Sequence, residues 1–203
     1  MNDWHLRRAV AVLRCGGIVV HATEGVWGLA CDPFDPAAVQ RLLALKQRSV
    51  AKGLIVVGSD SATFAPELDA LDPADRARVA ASWPGAVTWI LPNQRFPRWI
   101  TGAHRRVALR VPAHPQARAL CAVWGGPLVS TSANSAGRRP ARNVFQARVW
   151  VRNVRRRVPG ACQPGCGIYL LPGEVLGHPG PSEIRTLRGE RLRRRETDAE
   201  ETP

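Results

Sequence analysis

The sequence predicts a single α/β (α+β) domain built on a twisted, largely mixed β-sheet flanked by helices. Three observations carry that prediction. The 203 residues suffice for one full hydrophobic core. Hydrophobic residues make up 45% of the chain, which suits a packed protein and not a disordered one. Short apolar runs of strand character alternate along the chain with capped helical segments.

Asp3 to Arg14 reads as an amphipathic helix, with Asp3 as N-cap and Leu6, Val10 and Leu13 on one face, ended by Gly16-Gly17. Ile18 to Ala22 is a strand. Asp35-Pro36 pairs a cap with proline at the first helical position, and the helix runs through Leu45 to deliver Lys46 and Arg48 at its end. Leu54 to Val57 is a continuous apolar strand, buried on both faces. Asp72-Pro73 repeats the cap signal for a helix reaching Ser82. Trp83-Pro84-Gly85 is a turn before the strand Ala86 to Leu91. Val107 to Val111 is a strand, Pro115 to Trp124 a helix, and Leu128 to Thr131 a strand. Val144 to Val151 reads as helix, and Ile168 to Leu171 and Ser182 to Leu187 as strands. The domain is expected to span residues 1–192, with a frayed charged tail over 193–203.

No apolar run reaches the roughly 18 residues of a membrane helix. The start, Met-Asn-Asp-Trp-His-Leu-Arg-Arg, lacks the apolar stretch of a secretion signal. A cytoplasmic protein is therefore expected. The five cysteines (15, 31, 121, 162, 166) are odd in number and scattered, which fits free thiols in a reducing compartment. Cys162 and Cys166 are spaced C-x3-C, but no second pair or nearby histidine completes a zinc site, so no bound metal is expected.

Charge is the larger signal. The formal net charge is +13, yet residues 1–75 are slightly acidic. Between Asp75 and Glu174 the chain has 16 arginines and no acid at all. Such a field attracts polyanions, nucleoside triphosphates or RNA, although a basic surface also serves solubility. The gap further excludes any catalytic carboxylate from residues 76–173. The chain has only two lysines, Lys46 and Lys52, both within Leu45-Lys46-Gln47-Arg48-Ser49-Val50-Ala51-Lys52-Gly53. Lysine is a compact point charge and arginine a planar fork, so the placement points to a phosphate or carboxylate site. Chance under an arginine-favouring composition is the competing reading.

No Walker loop, no dinucleotide-binding glycine motif and no serine nucleophile elbow is present. The histidines share no ligand spacing, and His21 reads as a hydrogen-bonded strand residue. Ser130-Thr131-Ser132-Ala133-Asn134-Ser135-Ala136-Gly137 follows a buried-looking strand. Hydroxyls and an amide there can serve phosphate or ribose oxygens, or simply cap a turn. Thr23-Glu24-Gly25-Val26-Trp27-Gly28 places a hydroxyl and a carboxylate after the first strand, with glycines that let a ligand approach the backbone. Pro181-Ser182-Glu183-Ile184-Arg185 offers a hydroxyl and a guanidinium three residues apart, which converge only across a bulge or turn.

These pieces, in this order, resemble the YrdC-type family, in the short TsaC form of threonylcarbamoyl-AMP synthases. The resemblance lies in A-T-E-G-V-W-G-L at 22–29, L-K-Q-R-S-V-A-K-G-L-I at 45–55, W-P-G-A-V-T at 83–88 and A-L-R-V at 108–111. P-L-V-S-T-S-A-N-S-A-G at 127–137 and P-G-P-S-E-I-R at 179–185 complete it, so it covers about residues 5–190. The length leaves no room for the extra C-terminal domain of longer relatives. Ala22 stands where the family usually has proline, and Trp27 where it has Tyr or Phe. Val57 or Gly58 stands where longer relatives carry a histidine. The threonine pocket is therefore expected to differ in detail. Arg152 to Gly167 matches no motif.

The resemblance implies a basic concave groove in which L-threonine, bicarbonate and ATP give threonylcarbamoyl-adenylate and pyrophosphate. The product would feed N6-threonylcarbamoylation of tRNA by a downstream threonylcarbamoyl transferase complex. It implies Lys46 and Arg48 as catalytic residues, and Lys46, Arg48 and Lys52 on phosphates and the threonine carboxylate. Thr23, Arg48 and Arg110 would bind threonine. Thr88, Ser130, Ser132, Asn134, Ser182 and Arg185 would hold ATP, with Mg2+ carried mainly by the phosphates. Arg110 also reads as a strand-surface charge. Two rival readings remain. One is a non-enzymatic double-stranded RNA or tRNA-binding module using Arg138-Arg139 and Arg155-Arg156-Arg157. Against it, most of the seven tryptophans sit in apolar patterns and read as core. The other is a carbamoyl-transfer domain of a larger hydrogenase-maturation protein, whose accompanying segments the chain lacks.

Overall fold

The computed structural model describes residues 3–157 and 167–193. Helix α1 (Asp3–Arg14) buries Leu6, Ala9, Val10 and Leu13, with Asp3 in its first turn. Strands β1 (Ile18–Ala22) and β2 (Trp27–Ala30) form an antiparallel hairpin. Helix α2 (Pro36–Lys46) starts where the Asp35 carboxylate accepts the amides of Ala37 and Ala38. It stops at Gln47, whose left-handed backbone turns the chain. A 3-10 turn at Val50–Lys52 leads into β3 (Ile55–Val57). Short α3 (Ala65–Asp69) and α4 (Pro73–Ala81), capped by Asp72, precede β4 (Val87–Pro92). Then come α5 (Arg98–Thr101), β5 (Arg106–Arg110), α6 (Pro115–Trp124) and β6 (Leu128–Ser132). The chain continues with α7 (Val144–Arg157), β7 (Ile168–Leu170), β8 (Glu183–Thr186) and β9 (Arg191–Arg193).

The strands form one mixed sheet in the order β7-β1-β2-β6-β3-β5-β4-β8-β9. Its two faces are covered unequally. One face carries Val20, Trp27, Leu29, Val56, Leu109 and Val129 against residues of α2, α4 and α7. The opposite face carries Val19, Ala30, Val57 and Leu128, which pack against Leu6, Val10 and Leu13 of α1 and Leu120 of α6. Helices α1 and α6 cover only one end of that face. Two residues further along the same strands stand Gly28, Ile55 and Ser130, which line an open cleft. Alternation along a strand makes these the same face, so the cleft is the uncovered part of the sheet.

Several elements differ from the sequence expectation. The sequence reading assigns no strand at 27–30, where β2 lies: all four of its residues are buried, so it shows no apolar–polar alternation, and Gly28 weakens its strand character. α3 and α5 are too short to show a helical period. α7 runs past Val151 to Arg157 because Val154 continues its buried stripe. Its last turn holds Arg155, Arg156 and Arg157, cations that suit the carbonyl end of a helix. β9 carries the sheet through Arg193, one residue into the segment expected to fray. Residues 194–203, like Cys162 and Cys166, lie outside the described residues. The tryptophans divide: Trp27, Trp83 and Trp89 are buried, whereas Trp4 is 60% exposed.

Asp35→Ala should cost about 1 kcal/mol through loss of the α2 cap, measured by urea unfolding.

Candidate active site

The cleft has a volume of about 620 Å3. Of the eleven predicted site residues, seven line it: Thr23, Arg48, Lys52, Arg110, Ser130, Ser132 and Ser182. No carboxylate does. The sheet register explains the convergence. Ile55 stands opposite both Ser130 and Ala108, and Gly28 stands opposite Ser132. Arg110 is two residues beyond Ala108 and therefore shares its face.

Lys46 lies behind the cleft wall, only 3% exposed. Its Nζ donates to the carbonyl of Ser132, to the carbonyl of Asn134 at 3.0 Å and to Asn134 Oδ1 at 3.1 Å. Its own carbonyl accepts the Ala136 amide at 2.8 Å. Ser132 Oγ in turn donates to Asn134 Oδ1 at 2.6 Å. One lysine thus pins both sides of the loop that follows β6, with Asn134 facing this clamp and not the cleft. Burial, followed by the nearby Arg48 charge, lowers the Lys46 pKa to about 8. Its acceptors favour the protonated form, so it is a cation at neutral pH. Arg48 is half-buried and bonds the Gly53 carbonyl at 3.0 Å; burial lowers its pKa also. Lys52 is exposed at the cleft mouth.

Thr23 Oγ1 donates to the Val26 carbonyl at 2.7 Å and closes the turn between β1 and β2. The turn is sealed from outside by residues 178–180. The His178 amide donates to the Glu24 carbonyl at 3.0 Å, and a Cβ on Gly25 would meet the Gly180 carbonyl oxygen at 2.1 Å. Glycine is required at 25 by that approach. Glu24 is 2% exposed and forms an ion pair with Arg110, itself 7% exposed. Glu24 also accepts the Ala113 amide at 2.6 Å, and Arg110 Nε donates to the Gly85 carbonyl at 2.8 Å. Arg110 is therefore a buried, oriented cation and not a strand-surface charge. Burial would raise the Glu24 pKa, but the Arg110 charge and the hydrogen bonds bring it below the ordinary value. His21, on the cleft side of β1, is buried, and burial lowers its pKa to about 4. It is neutral, and its Nδ1 contacts the Ala22 carbonyl at 3.0 Å, as a hydrogen-bonded strand residue should. Ala22 and Trp27, two of the three departures from the family pattern, belong to the core on the covered face. They point away from the cleft.

Thr88 is fully buried, its hydroxyl 2.9 Å from Ser182 Oγ. It buttresses Ser182 from beneath. The expectation that Ser182 and Arg185 close the site together needs correction. Ser182 and Ile184 line the cleft, while Arg185 stands beside Trp89 of the covered face and pairs with Glu183 at 2.8 Å. A register irregularity does fall between Ile184 and Arg185, but it does not turn the guanidinium into the cleft. Motif patterns did not reveal Arg105, Arg106, His104 or the apolar patch of Ile55, Ile90 and Ile184. The alternation Arg106-Ala108-Arg110 along β5 was the available signal for Arg106.

The profile of the Sua5/YciO/YrdC family, described as "Telomere recombination", matches residues 11–158. The chain belongs to that family. It is 50% identical over 192 residues to the threonylcarbamoyl-AMP synthase of Cellvibrio japonicus (strain Ueda107), covering 92% of this chain and 95% of that one. It is 57% identical over 141 residues to the threonylcarbamoyl-AMP synthase of Xanthomonas euvesicatoria pv. vesicatoria (strain 85-10), covering 68% and 75%. Among solved structures it is similar to P. abyssi Sua5 complexed with L-threonine, with a TM-score of 0.79 and 26% identity. The match covers 95% of this chain and 54% of that one, so the chain spans about half the length of that protein.

Glu24→Ala leaves Arg110 buried without its counter-charge and should cost about 3–5 kcal/mol in urea unfolding. The sign with pH is set by the lowered carboxyl pKa. The contribution is complete above the unfolded value of 4.5 and is lost as pH falls through the lower folded value. Glu24→Gln should remove that component of the acid limb of the stability curve.

Proposed function

We propose that this chain is a threonylcarbamoyl-AMP synthase. The observation that carries the reading is a cleft gathering cations and hydroxyls, with no carboxylate in its lining, in a chain 50% identical to a synthase of that name. The non-enzymatic RNA-binding reading accounts for the basic surface but not for this cleft.

The chemistry suits the lining. The threonine amine takes up bicarbonate as a carbamate, with loss of water. A carbamate oxygen attacks the α-phosphate of ATP, and pyrophosphate leaves. Nucleophile, electrophile and leaving group are all anionic, so positioning and fixed positive charge do the catalytic work without a covalent enzyme intermediate. Arg48 and Lys52 take the phosphates and the threonine carboxylate. Lys46 supplies charge from behind the wall and fixes the loop carrying Ser132. Thr23 and Arg110 bind threonine, Arg110 oriented by Glu24. Ser130 and Ser132 face the α-phosphate, and Ser182, supported by Thr88, closes the far side. Asn134 acts through Lys46, and Arg185, turned to the covered face, stays outside the cleft. Mg2+ would be carried mainly by the ATP phosphates, since the cleft lining offers hydroxyls but no carboxylate to hold it. No described helix is long and apolar enough to cross a membrane. The product would pass, in the cytoplasm, to a transferase complex that modifies tRNA.

Pyrophosphate release from ATP and bicarbonate should require L-threonine. It should fall by about 100-fold or more in Lys46→Ala, the scale of losing one preorganised charge or donor. No release by the folded protein under any of these conditions would overturn the reading. The free enzyme's kcat/KM for ATP should decline above about pH 8, as Lys46 loses its proton. Activity surviving in Lys46→Arg should show no such limb, because a guanidinium keeps its charge.

A further inference from the structure

Strand β5 gives the cleft floor two unlike ends. Its Ala108 belongs to an apolar row that crosses three neighbouring strands, Ile55 on β3, Ala108 on β5 and Ile90 on β4. Ser130 on β6 stands at one end of that row, opposite Ile55. The row suits a nucleoside lying across the strands, with its α-phosphate at the hydroxyl end. Arg110 and Arg106 stand two residues from Ala108 in opposite directions and share its face. About 13 Å of strand separates them. Arg110 is buried and held by Glu24 and by the Gly85 carbonyl. Arg106 is exposed, as is Arg105 beside it, and no hydrogen bond or ion pair holds either side chain among the described residues.

Lys52 joins the Arg106 end. Strands β3 and β5 run parallel, so the 3-10 turn Val50–Lys52 before β3 lies beside the start of β5. The Ala103 amide donates to the Ala51 carbonyl at 3.1 Å, which ties that turn to the segment leading into Arg105 and Arg106. Lys52, Arg105 and Arg106 all line the cleft, and no carboxylate is among the lining residues. Three cations gathered without a counter-charge suit an anion that carries several charges. In an in-line displacement the attacking and leaving oxygens lie on opposite sides of the phosphorus. With threonine at Thr23 and Arg110, and the nucleoside across the strands, the leaving group is directed along β5 towards Arg106. We propose that Lys52, Arg105 and Arg106 form the subsite for the leaving pyrophosphate. The proposal rests on the synthase reading and adds the direction in which the reaction runs through the cleft. A carbamate oxygen bonds to the α-phosphorus as the bond from that phosphorus to its bridging oxygen breaks. The electron pair stays on the bridging oxygen, so charge grows on the pyrophosphate, where two guanidinium forks and an ammonium meet it.

The test is calorimetric binding of inorganic pyrophosphate with Mg2+, and separately of AMP, to the full chain. The wild type is compared with Arg106→Ala, Arg106→Lys and Arg105→Ala/Arg106→Ala. Arg106→Ala should weaken pyrophosphate about tenfold or more, the scale of losing a charged hydrogen bond. The double variant should weaken it further. AMP has no β- or γ-phosphate, so its affinity should hold in every variant, as should that of L-threonine. Arg106→Lys keeps the charge without the fork and should recover only part of the loss. The urea midpoint should stay near wild type, because both arginines are exposed. Unchanged pyrophosphate affinity in the double variant, or no pyrophosphate binding by the wild type, would overturn the proposal. Equal weakening of pyrophosphate and AMP would overturn it in favour of general attraction by surface charge. Threonine-dependent pyrophosphate release by the wild type checks the synthase reading separately. A wild type that binds pyrophosphate through Arg106 yet releases none would sink that reading and the leaving-group role together, and leave a pyrophosphate-binding site.

Discussion

One face of the sheet is packed along its length, while the other is covered only at one end, and the cleft, its lining and its charge all derive from that imbalance. The helices α2, α4 and α7 bury the first face. On the second face α1 and α6 stop after Val57 and Leu128. Whatever stands beyond them on the same strands must tolerate water or bind something. The residues there are small, hydroxylic or cationic: Gly28, Ser130, Ser132, Ala108 and Arg110. The fold thereby separates a core rich in aliphatic and aromatic side chains from a working surface presented on rigid strands. Binding groups on strands are held more closely than groups on free loops, which suits a reaction whose catalysis is mainly positioning.

The electrostatics have two levels. The cleft wall is positive and open, so anions enter a field that falls off within about 8 Å at physiological salt. Other charges, behind the wall or in it, are buried and held by protein groups. Lys46 is enclosed by carbonyls, and Arg110 is matched by Glu24. Buried ions of this kind are costly to desolvate and are weak evidence for stability. Their value here is geometric: each ties together segments far apart in sequence. Lys46 joins the end of α2 to the loop after β6, and Glu24 joins the β1–β2 turn to the chain after β5.

Local signals read well from the sequence. The Asp35-Pro36, Asp72-Pro73 and Pro115 starts locate α2, α4 and α6 because capping is a matter of adjacent residues. The apolar runs locate β1, β3 and β6. The convergence of Thr23, Arg48, Ser130 and Ser182 was legible from ordered motifs, as part of a family pattern. What could not be read depends on distant pairing. Nothing local says that Glu24 meets Arg110, or that Arg185 turns to the covered face while Ser182 does not. β2 was hidden because burial on both faces erases alternation. The end of α7 was hidden because arginines at 155–157 look like surface, although Val154 just before them continues the core.

The enclosure of Lys46 has a consequence for chemical labelling. The chain contains two lysines, and one of them is sealed behind protein carbonyls. Lys52 is the single lysine amine presented to solvent, and it stands at the cleft mouth. Among its side chains, an amine-directed reagent with a short spacer would therefore modify this protein at the rim of its own cleft. An arginine-rich surface that is otherwise silent to such reagents makes Lys52 a natural attachment point for a fluorophore or cross-linker that senses what enters.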